Sequence, residues 1–249
     1  MPRSSLTFRV GAILASAFLP AAGPAAAAVS GSLSLTNDYL FRGLSQTNQK
    51  PALQGGVEYA HDSGIYAGVW GSNISWLSDY SSAALPISSS VELDGYVGWR
   101  GNLSDTLKLD AGVYTYYYPG DYPTGFVRPY TTEVYLGASW GPATLKYSHA
   151  LTNLFGFAES DGSGYLEASV NYEFSPGWTL NAHAGHQRVK GTSAASYSDW
   201  KLGVTRGFDG GWSLAAAYAD TNAERGVYTN AFGHFLGRST GTLTLSKAF

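Results

Sequence analysis

Polar and apolar residues alternate with a period of two through most of this chain. In 90–101, Val91, Leu93, Gly95, Val97 and Trp99 share one face while Glu92, Asp94, Tyr96, Gly98 and Arg100 share the other, because successive side chains of a strand point to opposite sides. One face is oily and the other is charged. The same unit recurs, and it predicts twelve strands at 31–42, 51–60, 65–73, 90–101, 107–118, 131–140, 143–151, 164–174, 178–187, 199–208, 212–220 and 239–249.

The eleven connections alternate in length. They are long at 44–50, 74–89, 119–130, 152–163, 188–198 and 221–238, and tight at 61–64, 101–106, 141–142, 175–177 and 208–211. Outer-membrane barrels have short periplasmic turns and longer extracellular loops, and a soluble sandwich has no reason to keep that rhythm. Strands crossing a bilayer need roughly 9–11 residues at their tilt, and these segments fit. The expected fold class is therefore all-β: a membrane-spanning antiparallel up-and-down barrel of about twelve strands, both termini in the periplasm. Aromatics gather at the turn ends of the oily face (Tyr59, Trp99, Trp140, Tyr172, Phe174, Trp178, Phe208, Trp212 and Phe249), as an interfacial girdle requires. Tyr39, Phe41, Tyr117, Trp200 and Tyr218 are the expected second girdle. Lys247 breaks the oily face, and its long stem can carry the ammonium to the interface.

Composition agrees: 13% charged residues, 31 Gly and 18 Tyr suit a barrel with girdles and bends. Cysteine is absent, which excludes a lipoprotein anchor and disulfides. Residues 1–28 carry basic Arg3 and Arg9, an apolar stretch 10–19, and Ala26, Ala27 and Ala28 before Val29, which reads as a cleavable secretory signal. The barrel is then 29–249. Losing Arg3 and Arg9 takes the formal net charge from −3 to −5, and an acidic chain argues against nucleic acid as a partner.

The run Thr36-Asn-Asp-Tyr-Leu-Phe-Arg-Gly-Leu-Ser-Gln-Thr, then Pro51-Ala-Leu-Gln-Gly-Gly, then Gly64-Ile-Tyr-Ala-Gly-Val-Trp-Gly-Ser-Asn resembles the opening of the TorF-like porins of proteobacteria. Glu92-Leu-Asp94, the segment 116–120 and the closing Lys247-Ala-Phe extend the similarity across the chain. The resemblance implies an outer-membrane β-barrel and supplies no solute.

With the oily face toward lipid, the expected pore-lining residues are Asp38, Arg42, Glu58, Tyr66, Trp70, Glu92, Asp94, Tyr96, Arg100, Lys108, Asp110, Tyr114, Tyr116, Glu133, Tyr135, Lys146, Glu167, His183 and Lys201. Gln54, Glu173, Asp199, Tyr118 and Tyr165 fall on the same face. Asp38 and Arg42, four apart on one strand, are expected about 13 Å from each other. Pairing across 101–106 sets Arg100 opposite Lys108, with Asp110 diagonal. Acids outnumber bases on this face, so a wet, mildly cation-preferring pore accommodates them most simply. Twelve strands enclose more space than side chains fill solidly, and the inward tyrosines either stack a small solute or plug the bore.

The expected function is passive diffusion of small hydrophilic solutes through an outer-membrane porin. Its surroundings would be outer-membrane lipid and lipopolysaccharide, with the strand ending at Phe249 presented to the outer-membrane assembly machinery. No cofactor or metal is expected: His61, His149, His183, His186 and His234 lack metal-ligand spacing, and Glu159 and Asp161 suit a solvated loop better than a calcium site. A non-conducting scaffold or adhesin is the alternative. A barrel enzyme is weaker, since Ser148 and His149 point apart and no Gly-x-Ser-x-Gly motif occurs.

Overall fold

Val91, Leu93 and Val97 are 38–50% exposed while Glu92 and Asp94 are 1% and 5% exposed, so the strand pattern turns its oily side out. This holds around a closed twelve-stranded antiparallel barrel in a computed structural model that describes residues 28–249. The leader expected over 1–28 lies outside the described residues except for Ala28. The strands are β1 (Ala28–Thr36), a small hairpin of β2 (Leu40–Phe41) and β3 (Leu44–Ser45), then β4 (Ala52–Ala60), β5 (Ile65–Asn73), β6 (Val91–Asn102), β7 (Leu107–Tyr117), β8 (Thr131–Trp140) and β9 (Ala143–Ala150). They continue with β10 (Gly164–Ser175), β11 (Trp178–Arg188), β12 (Tyr197–Gly207), β13 (Trp212–Thr221) and β14 (Thr240–Ala248). All but β2 and β3 belong to the wall, each pairing with its sequence neighbour, and β1 closes the ring between β4 and β14.

Closure removes every edge, which an outward apolar surface demands. At the seam the Asn37 side chain donates to Gly241 O (3.1 Å) and accepts from Leu243 N (2.7 Å). Asn73 bridges to the β4 side in the same way, accepting from Leu53 N at 2.8 Å and donating to Pro51 O at 3.2 Å.

The nine aromatics of the turn-end girdle are all 41–69% exposed and outward. Lys247 reaches back to the Gly210 carbonyl in the adjacent turn, its ammonium 5.6 Å from the centre of the Trp212 ring and 5.5 Å from that of Phe249. At the loop end, Tyr117, Trp200 and Tyr218 point outward as expected, but Tyr39 and Phe41 do not. They belong to the segment that β1 gives up after Thr36. Tyr39 is buried edge-on against Trp70, and Phe41 packs on Tyr116 and Phe155.

Two register expectations are also corrected. Asn102 still pairs with Lys108, so the tight turn is shorter than expected and Arg100 stands opposite Asp110, an opposite-charge pair. Asp38 and Arg42 do not share a strand, because the chain leaves the wall at Thr36 and folds inward.

Candidate functional site

Inward-facing tyrosines line β5 to β8, and each needs room on a wall that curves toward it. Glycines provide it. A Cβ on Gly68 would collide with the Tyr96 hydroxyl, one on Gly98 with Tyr66, and one on Gly112 with Tyr135, each glycine lying directly across from the tyrosine that covers it. The rings then touch in sequence: Tyr66 with Tyr96 (6.1 Å), Tyr96 stacked on Tyr114 (5.4 Å, 2° between planes), and Tyr114 with Tyr116 (4.7 Å). Aromatic cover over a cross-strand glycine both fills the pleat and pins register. The alternation on this face is legible in the chain, whereas the glycine–tyrosine pairing depends on cross-strand register, which alternation alone does not give.

Charged groups on this wall are bonded to each other and to phenols. Arg100 donates to Glu58 at 2.7 Å with its guanidinium 3.6 Å from the centre of the Tyr66 ring, and the Tyr66 hydroxyl meets Asp110 and Tyr135. Tyr114 donates to Asp94 (2.8 Å) and Tyr118 to Glu92 (3.4 Å). Lys146 places its ammonium 4.4 Å from the Tyr135 ring centre.

The segment 37–51 supplies what the strand pattern hid. β2 and β3 form a hairpin whose tip, Arg42-Gly43, has φ of 47° and 78°, the left-handed pair that tight hairpins use. Gly43 rests so closely on Asp199 that a side chain there would clash with it. At the base, Asp38 Oδ1 accepts from Ser45 Oγ (2.6 Å) and Thr47 Oγ1 (3.2 Å). Burial raises the Asp38 carboxyl above its ordinary range, and those hydrogen bonds offset part of the shift. Asp38 is thus an anchor inside the loop and not a residue lining the bore.

The tip carries Arg42 across the interior. Its guanidinium makes a two-pronged pair with Glu133 of β8 (3.0 and 2.7 Å), donates to Gln187 of β11 (2.7 Å), and has its centre 4.3 Å from that of the Tyr165 ring. Both partners of the ion pair are nearly inaccessible, and such a pair is costly to break because one charge is then left buried alone. Beside it, His183 Nε2 lies 2.9 Å from Asp199 Oδ1 and its Nδ1 3.5 Å from Glu167, while Tyr165 donates to Asp199 Oδ2 at 2.8 Å. A cavity of about 70 Å³ remains between the hairpin and β9 to β13, with Lys146, Glu167, His183, Asp199 and Lys201 on its walls.

The rest of the interior wall is different. β13, β14 and β1 turn only small side chains inward: Ser213, Ala215, Ala217, Ala219, Thr240, Thr242, Thr244 and Ser246, then Ser30, Ser32, Ser34 and Thr36. Ala215, Ala217, Thr242 and Thr244 retain solvent contact, whereas Tyr66, Tyr116, Tyr118 and Tyr165 across the barrel are buried.

A model of the family described as "Bacterial protein of unknown function (Gcw_chp)" matches residues 20–249. No curated protein matches in sequence. Among solved structures, a KdgM porin aligns with a TM-score of 0.54 at 6% identity over 89% of this chain and 97% of its own. A NanC porin aligns at 0.53 and 10% identity over 89% and 99%. The KdgM porin in complex with disordered oligogalacturonate gives 0.52 at 6% identity, over 89% and 97%. Similarity at these identities is similarity of fold.

Proposed function

The chain belongs to the bacterial family Gcw_chp, whose function is unknown, and from that premise we propose that it is an outer-membrane porin, delivered by the signal at 1–28, that passes small hydrophilic solutes by diffusion. The closed barrel with its apolar outside and ring girdle supports the membrane location. The solvent contact of Ala215, Ala217, Thr242 and Thr244 carries the channel reading. These partly exposed positions lie on the wall with the smallest inward side chains, and that wall is the path for water in this reading. The resemblance to TorF-like porins and the porin fold of the KdgM and NanC structures point the same way.

The Arg42 hairpin, its tip seated on Asp199 of β12 and its guanidinium bonded to β8 and β11, narrows the interior, and solutes have to pass beside it. Selectivity follows from the residual charge. With Asp38 assigned to the loop, the inward acids are Glu58, Glu92, Asp94, Asp110, Glu133, Glu167, Glu173 and Asp199, against the bases Arg42, Arg100, Lys108, Lys146 and Lys201. The excess of carboxylates favours cations. The tyrosines pack on one another and on carboxylates, which is the role of wall filler more than of a track for sugars.

A sealed scaffold is the second reading, favoured by the hairpin bonded across the bore. Single-channel recording on refolded protein in planar bilayers decides between them. Discrete conductance steps support the pore, and a bilayer that stays sealed at high protein load rejects it. Substrate turnover by the purified barrel, lost on changing one Ser or His, would instead make it an enzyme.

A further inference from the structure

The outward face at the loop end holds a second cluster, unconnected with the bore. On three adjacent strands, His149 of β9, Gly164 of β10 and Arg188 of β11 stand in one cross-strand row, all facing outward. Next to this row Arg188 Nη1 donates to the Gly162 carbonyl at 3.3 Å, and a Cβ built on Gly162 would lie 3.9 Å from both Lys190 Nζ and His149 Cε1. Three basic side chains from two strands and the following loop therefore converge on Gly162. Tyr147 adds a hydroxyl that lies over Gly164 and 3.4 Å from His149 Nδ1.

We propose that His149, Arg188 and Lys190 form a binding site for the phosphate of an anionic lipid headgroup in the outer leaflet. The inference rests on the outer-membrane reading, which makes the loop end the extracellular one. The depth selects lipid as the source. One row below the cluster lie Tyr147, Leu166 and His186, and Trp200 stands next to that row, so an acyl chain running down the apolar wall brings its headgroup level with the basic row. A phosphate accepts from several directions at once, which suits donors arriving from three positions, and guanidinium matches its geometry.

The groups already in place leave room for it. Arg188 is exposed and spends one of its five donors on a backbone carbonyl. Lys190 pairs with Asp161 at 3.4 Å, but both are about half exposed or more, and such surface pairs exchange readily for a stronger anion. His186 is held by Ser198 at 2.9 Å and sits at the lower margin. Along the outward strand faces, among the described residues, three basic side chains converge nowhere else. Arg206 and Lys247, at the turn end, are committed to the carbonyls of Pro176 and Gly210.

Native mass spectrometry of the detergent-purified barrel tests the site, with bisphosphorylated lipid A as probe and its dephosphorylated counterpart as reference. The wild type should retain the phosphorylated lipid preferentially, and the double variant R188Q/K190Q should weaken that retention by about tenfold or more. A charge-matched double variant at the opposite end, R206Q/K247Q, should retain it unchanged. Equal retention of both lipids by the wild type, or unchanged retention by R188Q/K190Q, overturns the proposal. Displacement of the lipid by low-millimolar inorganic phosphate overturns the lipid as the source. Channel recording on the wild type, run beside the lipid assay, separates the two readings. A sealed bilayer with wild-type protein sinks the pore and leaves lipid selectivity standing, whereas wild-type conductance with no lipid selectivity sinks only the headgroup site.

Discussion

The barrel has two interior walls built on opposite plans. From β5 to β8, large rings lie over glycines and hold carboxylates, so side chains do the filling. From β13 through β14 to β1 the inward residues are alanine, serine and threonine, and Ala215, Ala217, Thr242 and Thr244 among them keep partial exposure. The hairpin carrying Arg42 spans from the second kind of wall toward the first and bonds to it through Glu133. A bore of this size is thus shaped less by the number of strands than by where bulk is concentrated on them. One side carries the bulk, and the other carries little of it.

The strongest way to break this picture is to release the strap. Arg42→Ala strands Glu133 as a buried lone carboxylate, and we expect a loss of about 3–5 kcal/mol in unfolding measurements in detergent, together with a larger single-channel conductance. A conductance equal to wild type would mean that the hairpin does not bound the passage. Next in size is bulk added to the open wall. Ala217→Trp should cut conductance severalfold, while Tyr96→Ala on the filled wall should cost stability, about 3 kcal/mol by analogy with buried aromatic truncations, and alter conductance less. If the two variants change places, so do the walls.

A smaller effect separates charges that face water from charges that do not. Glu167 borders the cavity beside Arg42, whereas Glu92 and Asp94 sit under the aromatic cluster around Tyr39 and Tyr118. Reversal potentials in asymmetric KCl should therefore shift toward zero with Glu167→Gln, and far less with Glu92→Gln and Asp94→Asn together. The smallest effect concerns the loop base. Because burial raises the Asp38 carboxyl in the packed loop, that loop binds the proton more tightly than a released one. Its extra stability is full below the ordinary carboxylate value of about 4 and is lost as pH rises through the raised one. Conductance should accordingly climb over that window, and Asp38→Asn should flatten the climb.

Much of this was legible in the chain. Alternation placed Val91 and Glu92 on their correct faces, and the rhythm of connections gave twelve wall strands, since both follow from a two-residue period that lipid on one side enforces. The in-folded hairpin was not legible, because Asn37 to Arg42 keeps alternating after the wall has ended, and periodicity cannot tell a strand in the wall from one inside it. Gly43, free to take a left-handed turn position, was the available signal. Arg100 found Asp110 and not Lys108 because the ladder runs on to Asn102, a shift that decides charge pairing and that turn composition alone does not resolve. Cross-wall partners such as Arg42 with Glu133 and Gln187 depend on the barrel's diameter and stagger, which no local pattern encodes.

The seam between β1 and β14 has a kinetic consequence. Asn37 clasps Gly241 and Leu243 across more than two hundred residues, so the zip that finishes the cylinder is among the most distant contacts in the molecule. Until it forms, the ribbon has two raw margins in a solvent that cannot satisfy them, and loop-closure entropy makes such an event slow. Weakening Asn37 would therefore delay maturation while leaving the finished bore unaltered.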